Sequence, residues 1–202
     1  MKKLSIISVF VCCLAALCLT SCNNDDSPRG LTPEEVKTAF LTVKGSYDGD
    51  LIYEKKAEGT AKPGKPTLDT LKISWQIDTD STMLIKSFPS KLLATYITDK
   101  NLSAALAEQP NSDIKCYIGF YSMSPVAFII NPVAPAFNVN YGGKDHKVQV
   151  AFNVNSAYSF GAYNSTKKLL QMQIVEAAIY IDGKYEKAML DTAVPFVLSA
   201  KR

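Results

Sequence analysis

His146 is the only histidine in the 202 residues. A Ser-His-Asp or Cys-His arrangement must therefore use it, because those schemes need an imidazole as base. It follows Lys144-Asp145 beside the turn signal Tyr141-Gly142-Gly143, where a solvated turn residue is the expectation. Cys116 alternates with Ile114, Ile118 and Phe120, on the apolar face of a strand, where a free thiol is usually inert. Asp48 with Asp50, and Asp78 with Asp80, are two apart. On a strand each pair would share a face about 6.7 Å apart. Inverting glycosidases use a similar separation, but their acids face each other across a sugar, and neighbours on one strand point the same way.

Two loop motifs fail on composition. Asp78-Thr79-Asp80-Ser81-Thr82 begins like a calcium loop and lacks its glycine and terminal glutamate. Gly59-Thr60-Ala61-Lys62-Pro63-Gly64-Lys65 has the outline of a phosphate loop. Pro66 stands where Ser or Thr would bind magnesium, and no strand–loop–helix context surrounds it. No catalytic residue, metal ligand or cofactor is assigned, and the chain is not read as an enzyme. A carboxylate hydrolase is the third reading, behind two binding functions.

Cys22 is the residue whose position does imply chemistry. Met1-Lys2-Lys3 is a short positive start, and Ile6 to Leu19 is almost wholly apolar. A membrane helix needs about 20 apolar residues, so this run is too short to span. It reads as a secretory signal. Its ending, Leu19-Thr20-Ser21-Cys22, resembles a bacterial lipobox, cut between Ser21 and Cys22 with acyl chains such as palmitate added to the cysteine. A thiolate is the nucleophile such a thioether needs. One fatty chain holds a protein only marginally, and two or three hold it stably. The polar stretch from Asn23 to Gly30 has almost nothing to bury and reads as a tether. At about 3.3 Å per residue it could hold a folded body some 25 Å from the lipid.

This gives residues 1–21 as signal, 22–30 as lipidated cysteine and tether, and 31–202 as a single β-rich domain. The chain carries a net charge of +3, but removing Lys2 and Lys3 leaves 20 Lys and Arg against 19 Asp and Glu. Its basic residues are scattered, so nucleic acid is excluded as a partner. Cys12, Cys13 and Cys18 leave with the signal, and Cys116 alone remains in the domain. No internal disulfide can form, and a domain of this length must rely on its core.

The elements follow from periodicity. Thr32-Pro33-Glu34-Glu35 is a capping box with proline at the first helical position. Val36, Ala39, Phe40 and Val43 then line one helix face, and Gly45 ends it. The period switches to two from Tyr47 to Tyr53 and again from Leu71 to Ile77. A polar loop, Ala57 to Thr67, joins them. Met83–Phe88 reads as a strand, and a helical interlude through Leu92, Tyr96, Leu102 and Leu106 closes at Pro110. Strands are expected at Ile114–Ser122, Val126–Ile130, Ala136–Tyr141, Lys147–Val154, Leu169–Ile181 and Ala188–Leu198. Asp182-Gly183 marks a hairpin. About nine short strands after one helix predict a mainly β fold with minor α content, either an antiparallel sandwich or a rolled barrel.

Ala136-Phe137-Asn138-Val139-Asn140 recurs as Ala151-Phe152-Asn153-Val154-Asn155. The four asparagines could line a ligand face, since an amide donates and accepts hydrogen bonds. The default reading is that they are the polar outer faces of two neighbouring strands.

The whole pattern resembles small lipoproteins of gut Bacteroides-type bacteria whose function is not known. The shared features are the lipobox, the polar tether, a helix beginning Leu31-Thr32-Pro33-Glu34-Glu35-Val36, and the strand Gly45-Ser46-Tyr47-Asp48-Gly49-Asp50-Leu51. Acidic residues after the cysteine resemble the surface-export signals of such proteins. The resemblance implies the cell envelope, anchored to the outer membrane on its periplasmic face or at the cell surface. It also implies O-glycosylation at Asp-Ser/Thr sites, for which Ser81, Thr70 and Thr192 fit. The glycine-aromatic-glycine of the first strand resembles lipocalin-like barrels, although Tyr47 stands where a lipocalin has tryptophan. Two functions compete: a non-catalytic module binding an unknown protein or glycan, and a lipocalin-like carrier of a small apolar ligand.

Overall fold

The computed structural model describes residues 30–56 and 67–202. The signal, Cys22, the tether before Gly30 and the glycine–lysine loop at 59–65 lie outside these. The expected helix is α1, Pro33–Val43, and its capping box forms as read. Glu35 N–H donates to Thr32 Oγ1 at 3.3 Å, and Thr32 N–H donates to Glu35 Oε2 at 2.7 Å. Two further short helices follow, α2 (Ser90–Ala94) and α3 (Lys100–Ala107).

Among the described residues eleven strands form, two more than periodicity predicts: β1 (Gly45–Glu54), β2 (Leu68–Ile77), β3 (Thr82–Phe88), β4 (Ser112–Met123), β5 (Val126–Pro132), β6 (Ala136–Tyr141), β7 (Lys144–Phe152), β8 (Phe160–Asn164), β9 (Leu169–Ile181), β10 (Lys184–Tyr185) and β11 (Val194–Lys201). The last begins six residues later than its alternation suggests, because Lys187–Ala193 forms turns. Eight of them close into an antiparallel barrel in the order β1-β2-β3-β4-β5-β8-β9-β11, with β11 pairing both β9 and β1. The barrel alternative is therefore the correct one, and it is an up-and-down meander of the lipocalin-like kind.

The other three strands decorate this ring. Hairpin β6–β7 extends from the C-terminal half of β9, and β10 pairs its end. Positive φ at Gly142 and Gly143, and at Asp182 and Gly183, makes both hairpin turns of the mirror-image kind that suits the strand twist.

Register fixes which side chains face inward. Tyr47 pairs Trp75, Trp75 pairs Ile85, and Ile85 pairs Ile114. On the far side Phe128 pairs Gly161, Gly161 pairs Met172, Met172 pairs Leu198, and Leu198 pairs Leu51. These inner positions are buried and apolar. Each large side chain so enclosed contributes about 1.5–3 kcal/mol, which is how a domain without a disulfide is held. The barrel ends are covered from opposite sides. Tyr47 Oη donates to Val43 O of α1 at 2.6 Å, and α1 packs on β4 and β5. At the other end Tyr96, just past α2, donates to Glu54 O at 3.5 Å, and α3 packs on β6.

Candidate functional site

Aromatic rings pack tightly against two glycines of the barrel interior. A Cβ on Gly49 would come within 2.6 Å of Trp75 Cη2, and one on Gly161 within 2.5 Å of Phe128 Cζ. Both glycines face inward so that an aromatic ring can occupy the place of their side chain. Trp75 also stacks on Tyr47, with centroids 5.5 Å apart and planes 11° from parallel. Cys116 is enclosed on the inner face, and burial pushes its thiol up to about 12, as suits an inert core cysteine.

One polar side chain lies among these apolar ones. Glu176 of β9 follows Leu170, Met172 and Ile174 at alternate positions, opposite Val194 of β11 and Phe152 of β7. It is 1% exposed, and neither carboxylate oxygen has a hydrogen-bond partner among the described residues. Burial alone holds its pKa well above the ordinary carboxyl value. A carboxyl in such surroundings keeps its proton rather than its charge. Trp75 Nε1 is likewise buried without a partner.

The barrel wall, by contrast, is not continuous. β2 pairs β1 along all of Leu68–Ile77, but pairs β3 only from Ser74 to Ile77. β3 is shorter than β2, and it leaves the pairing at Ser87, whose φ of 49° turns the backbone away. An open groove of about 670 Å³ lies there, lined by Asp48, Leu71, Lys72, Ile73, Lys86 and Pro89 among others. On its outer rim Ser74 Oγ donates to Asp48 Oδ1 at 2.6 Å, and Lys72 Nζ pairs with Asp50 Oδ1 at 2.6 Å. The paired aspartates of β1 therefore serve as cross-strand partners on an exposed face, not as facing acids. Asp78 and Asp80 sit in the exposed β2–β3 turn.

The asparagines are not gathered into one face. Asn138 and Asn140 lie opposite Lys147 and Asp145 in the β6–β7 hairpin, and Asn140 Nδ2 donates to Asp145 Oδ1 at 2.5 Å. Asn153 and Asn155 come after β7 ends. Asn155 exchanges two bonds with Asn131, at 2.6 and 2.9 Å. His146 is not a turn residue. It lies within β7 opposite Val139, and its Nδ1 is 2.8 Å from Asp182 Oδ2. Asp182 Oδ1 also accepts from Lys147 N–H at 2.9 Å, so the carboxylate ties β7 to the β9–β10 turn. Of the glycosylation candidates, Ser81 is in the exposed β2–β3 turn, Thr70 is exposed on β2, and Thr192 is half-buried beside β11.

Sequence reading missed both features that distinguish this barrel. Glu176 was visible in principle, since a lone acid stands at an apolar parity in the strand Leu169–Ile181. The groove had no such signal.

The strands define an eight-stranded antiparallel barrel with aromatic rings packed inside it and β2–β3 pairing that stops at Ser74. Residues 42–181 match the family described as Domain of unknown function (DUF4840), and the chain belongs to that family. The matched residues run from the end of α1 through β9 and stop short of β11, the strand that closes the ring. No curated protein and no solved structure matches the chain.

Proposed function

We propose that this chain is a non-catalytic binding module of the cell envelope, held to the outer membrane by acyl chains on Cys22, and that it engages its partner through the groove beside β2. The carrying observation is that rings fill the interior against Gly49 and Gly161 while the wall opens between β2 and β3. An eight-stranded barrel is just wide enough either to be filled by side chains or to hold one small ligand. Here the side chains occupy the space, and the solvated opening is on the outside. Concave, partly apolar openings with a few polar groups are the usual form of a binding site. The order of signal, acylated cysteine and polar tether supports a body standing clear of the lipid, with that wall free to meet a protein or glycan.

The carrier reading has one observation in its favour, the unpartnered acid inside the barrel. A small ligand bearing a hydrogen-bond donor would satisfy Glu176. Native mass spectrometry on the acylated protein released from its host membranes separates the two. The module reading expects the mass of the chain from Cys22 plus its acyl groups, unchanged on unfolding. A reproducible extra small-molecule mass lost on unfolding would replace it with the carrier.

A further inference from the structure

The edge that β2 presents to the groove has a definable chemistry. Antiparallel strands point alternate backbone N–H and C=O pairs to opposite edges. Thr70 N–H donates to Asp69 Oδ1 at 2.8 Å instead of crossing to Ile52. The outward groups of this edge are therefore those of Thr70 and, by alternation, of Lys72. Asp69 occupies one of the two N–H groups, and its carboxyl is held below the ordinary value first of all by that bond. Lys86 marks the last rung between β2 and β3, opposite Ser74. Among the described residues it has no ion-pair partner. On the groove's outer side Lys72 is paired with Asp50 and Asp48 is engaged by Ser74, which leaves Lys86 as the lysine without an ion-pair partner among the described residues. On its inner side Leu71, Ile73 and Pro89 are apolar.

We infer that the groove takes an extended peptide of a partner protein, added as a strand to the open edge of β2 between Leu68 and Ile73, with acidic residues toward Lys72 and Lys86 alternating with apolar residues toward Leu71, Ile73 and Pro89. This inference rests on the groove being the binding site. Strand addition draws affinity from main-chain bonds and specificity from the alternate side chains. The two faces of a strand differ here in the way such a ligand needs, one polar with the unpaired Lys86 and one apolar. The peptide displaces Asp69 from Thr70 N–H and exchanges Lys72's bond to Asp50 for its own carboxylates.

The test uses the full acylated chain in detergent and a fluorescein-labelled peptide alternating valine with glutamate. A second peptide has lysine for glutamate, and a third carries proline at alternate positions to remove backbone donors. Fluorescence anisotropy is expected to show the glutamate peptide binding at least about tenfold more tightly than the lysine peptide, because like-charge juxtaposition is penalised at interfaces. Lys86→Glu should invert that preference, Lys86→Gln should erase much of it, and the proline peptide should not bind. Circular dichroism checks that each exposed-site variant keeps its fold. Equal binding of the acidic and basic peptides, or binding indifferent to Lys86→Glu, overturns the inference. So does no binding by any peptide, in which case the edge lysines serve only to guard against strand pairing. If the peptides fail while a partner still cross-links from position 86, the groove stands as the site and the peptide class falls.

Discussion

The indole of Trp75 lies where a side chain on Gly49 would be, 2.6 Å from the place of its Cβ, one strand over in the same inner layer. On the other flank of Gly49 the carbonyl oxygen of Ser199 is 2.5 Å from that Cβ, so neither ring nor backbone leaves room. Gly49→Ala should destabilise the fold by about 1–3 kcal/mol, the usual cost of overpacking a tight core. Denaturant unfolding followed by Trp75 fluorescence measures it. An unchanged midpoint would mean that the interior has slack, and would weaken the case against a ligand chamber.

Glu176 makes stability depend on pH in an uncommon direction. Its folded value is raised above the unfolded one. Its contribution is therefore fully present below the unfolded value of about 4.5 and is lost as pH rises toward the folded value. Glu176→Leu should raise stability by about 1–3 kcal/mol at neutral pH, because it removes a buried polar group that has no hydrogen-bond partner. It should also flatten the decline between mildly acidic and neutral pH. Thermal melts of both proteins across that range decide the matter. A wild-type curve already flat there would show that the acid has a partner.

Asp182 works in the opposite sense. The bond from His146 is the main cause that lowers its carboxyl, followed by the bond from Lys147 N–H. A depressed carboxyl stabilises above its unfolded value, and that contribution is lost as pH falls through the folded value, below about 3.8. Asp182 also has a positive φ of 51°, which Asn tolerates better than Ala. Asp182→Asn should therefore leave the β9–β10 turn formed while faster amide exchange appears at Lys147. Asp182→Ala should loosen the turn as well. Equal effects of the two variants would show that the backbone conformation contributes nothing.

The proposed acylation at Cys22 and an expected glycan at Ser81 are tested in the native host. Cys22→Ala should abolish labelled palmitate incorporation and release the protein from the membrane fraction. Peptide mass spectrometry should find a glycan at Ser81, whose turn is exposed while its backbone carbonyl accepts from Ile118 N–H. Retained palmitate in the Cys22 variant, or an unmodified Ser81 peptide, would refute the respective assignment.

Most local structure could be read directly from residues. The Thr32–Glu35 box, the Asp182-Gly183 turn and the alternation around Tyr47 and Trp75 each act over a few positions, so type and spacing suffice. β8 escaped because Phe160-Gly161-Ala162-Tyr163-Asn164 is short and its inner position is a glycine, which breaks the apolar alternation. His146 reads as a turn residue because β7 starts immediately after Gly143, and strand boundaries follow the partner strand more than the residue itself. Closure depends on β11 pairing β1 across most of the chain, which no local pattern encodes. The groove depends on β3 being three residues shorter than β2 and on the backbone turning at Ser87. It arises from a difference between two elements, each of which is ordinary in isolation.

The most direct measurement is photo-cross-linking in the native host, with benzoylphenylalanine placed at Lys86 in the groove or at exposed Tyr185 on β10 as a control. The account predicts a discrete adduct from position 86 that position 185 does not give, and its reduction in the same strain carrying Lys72→Glu. No adduct from position 86, or the same adducts from both positions, would contradict the claim that this protein binds through the split in its barrel wall.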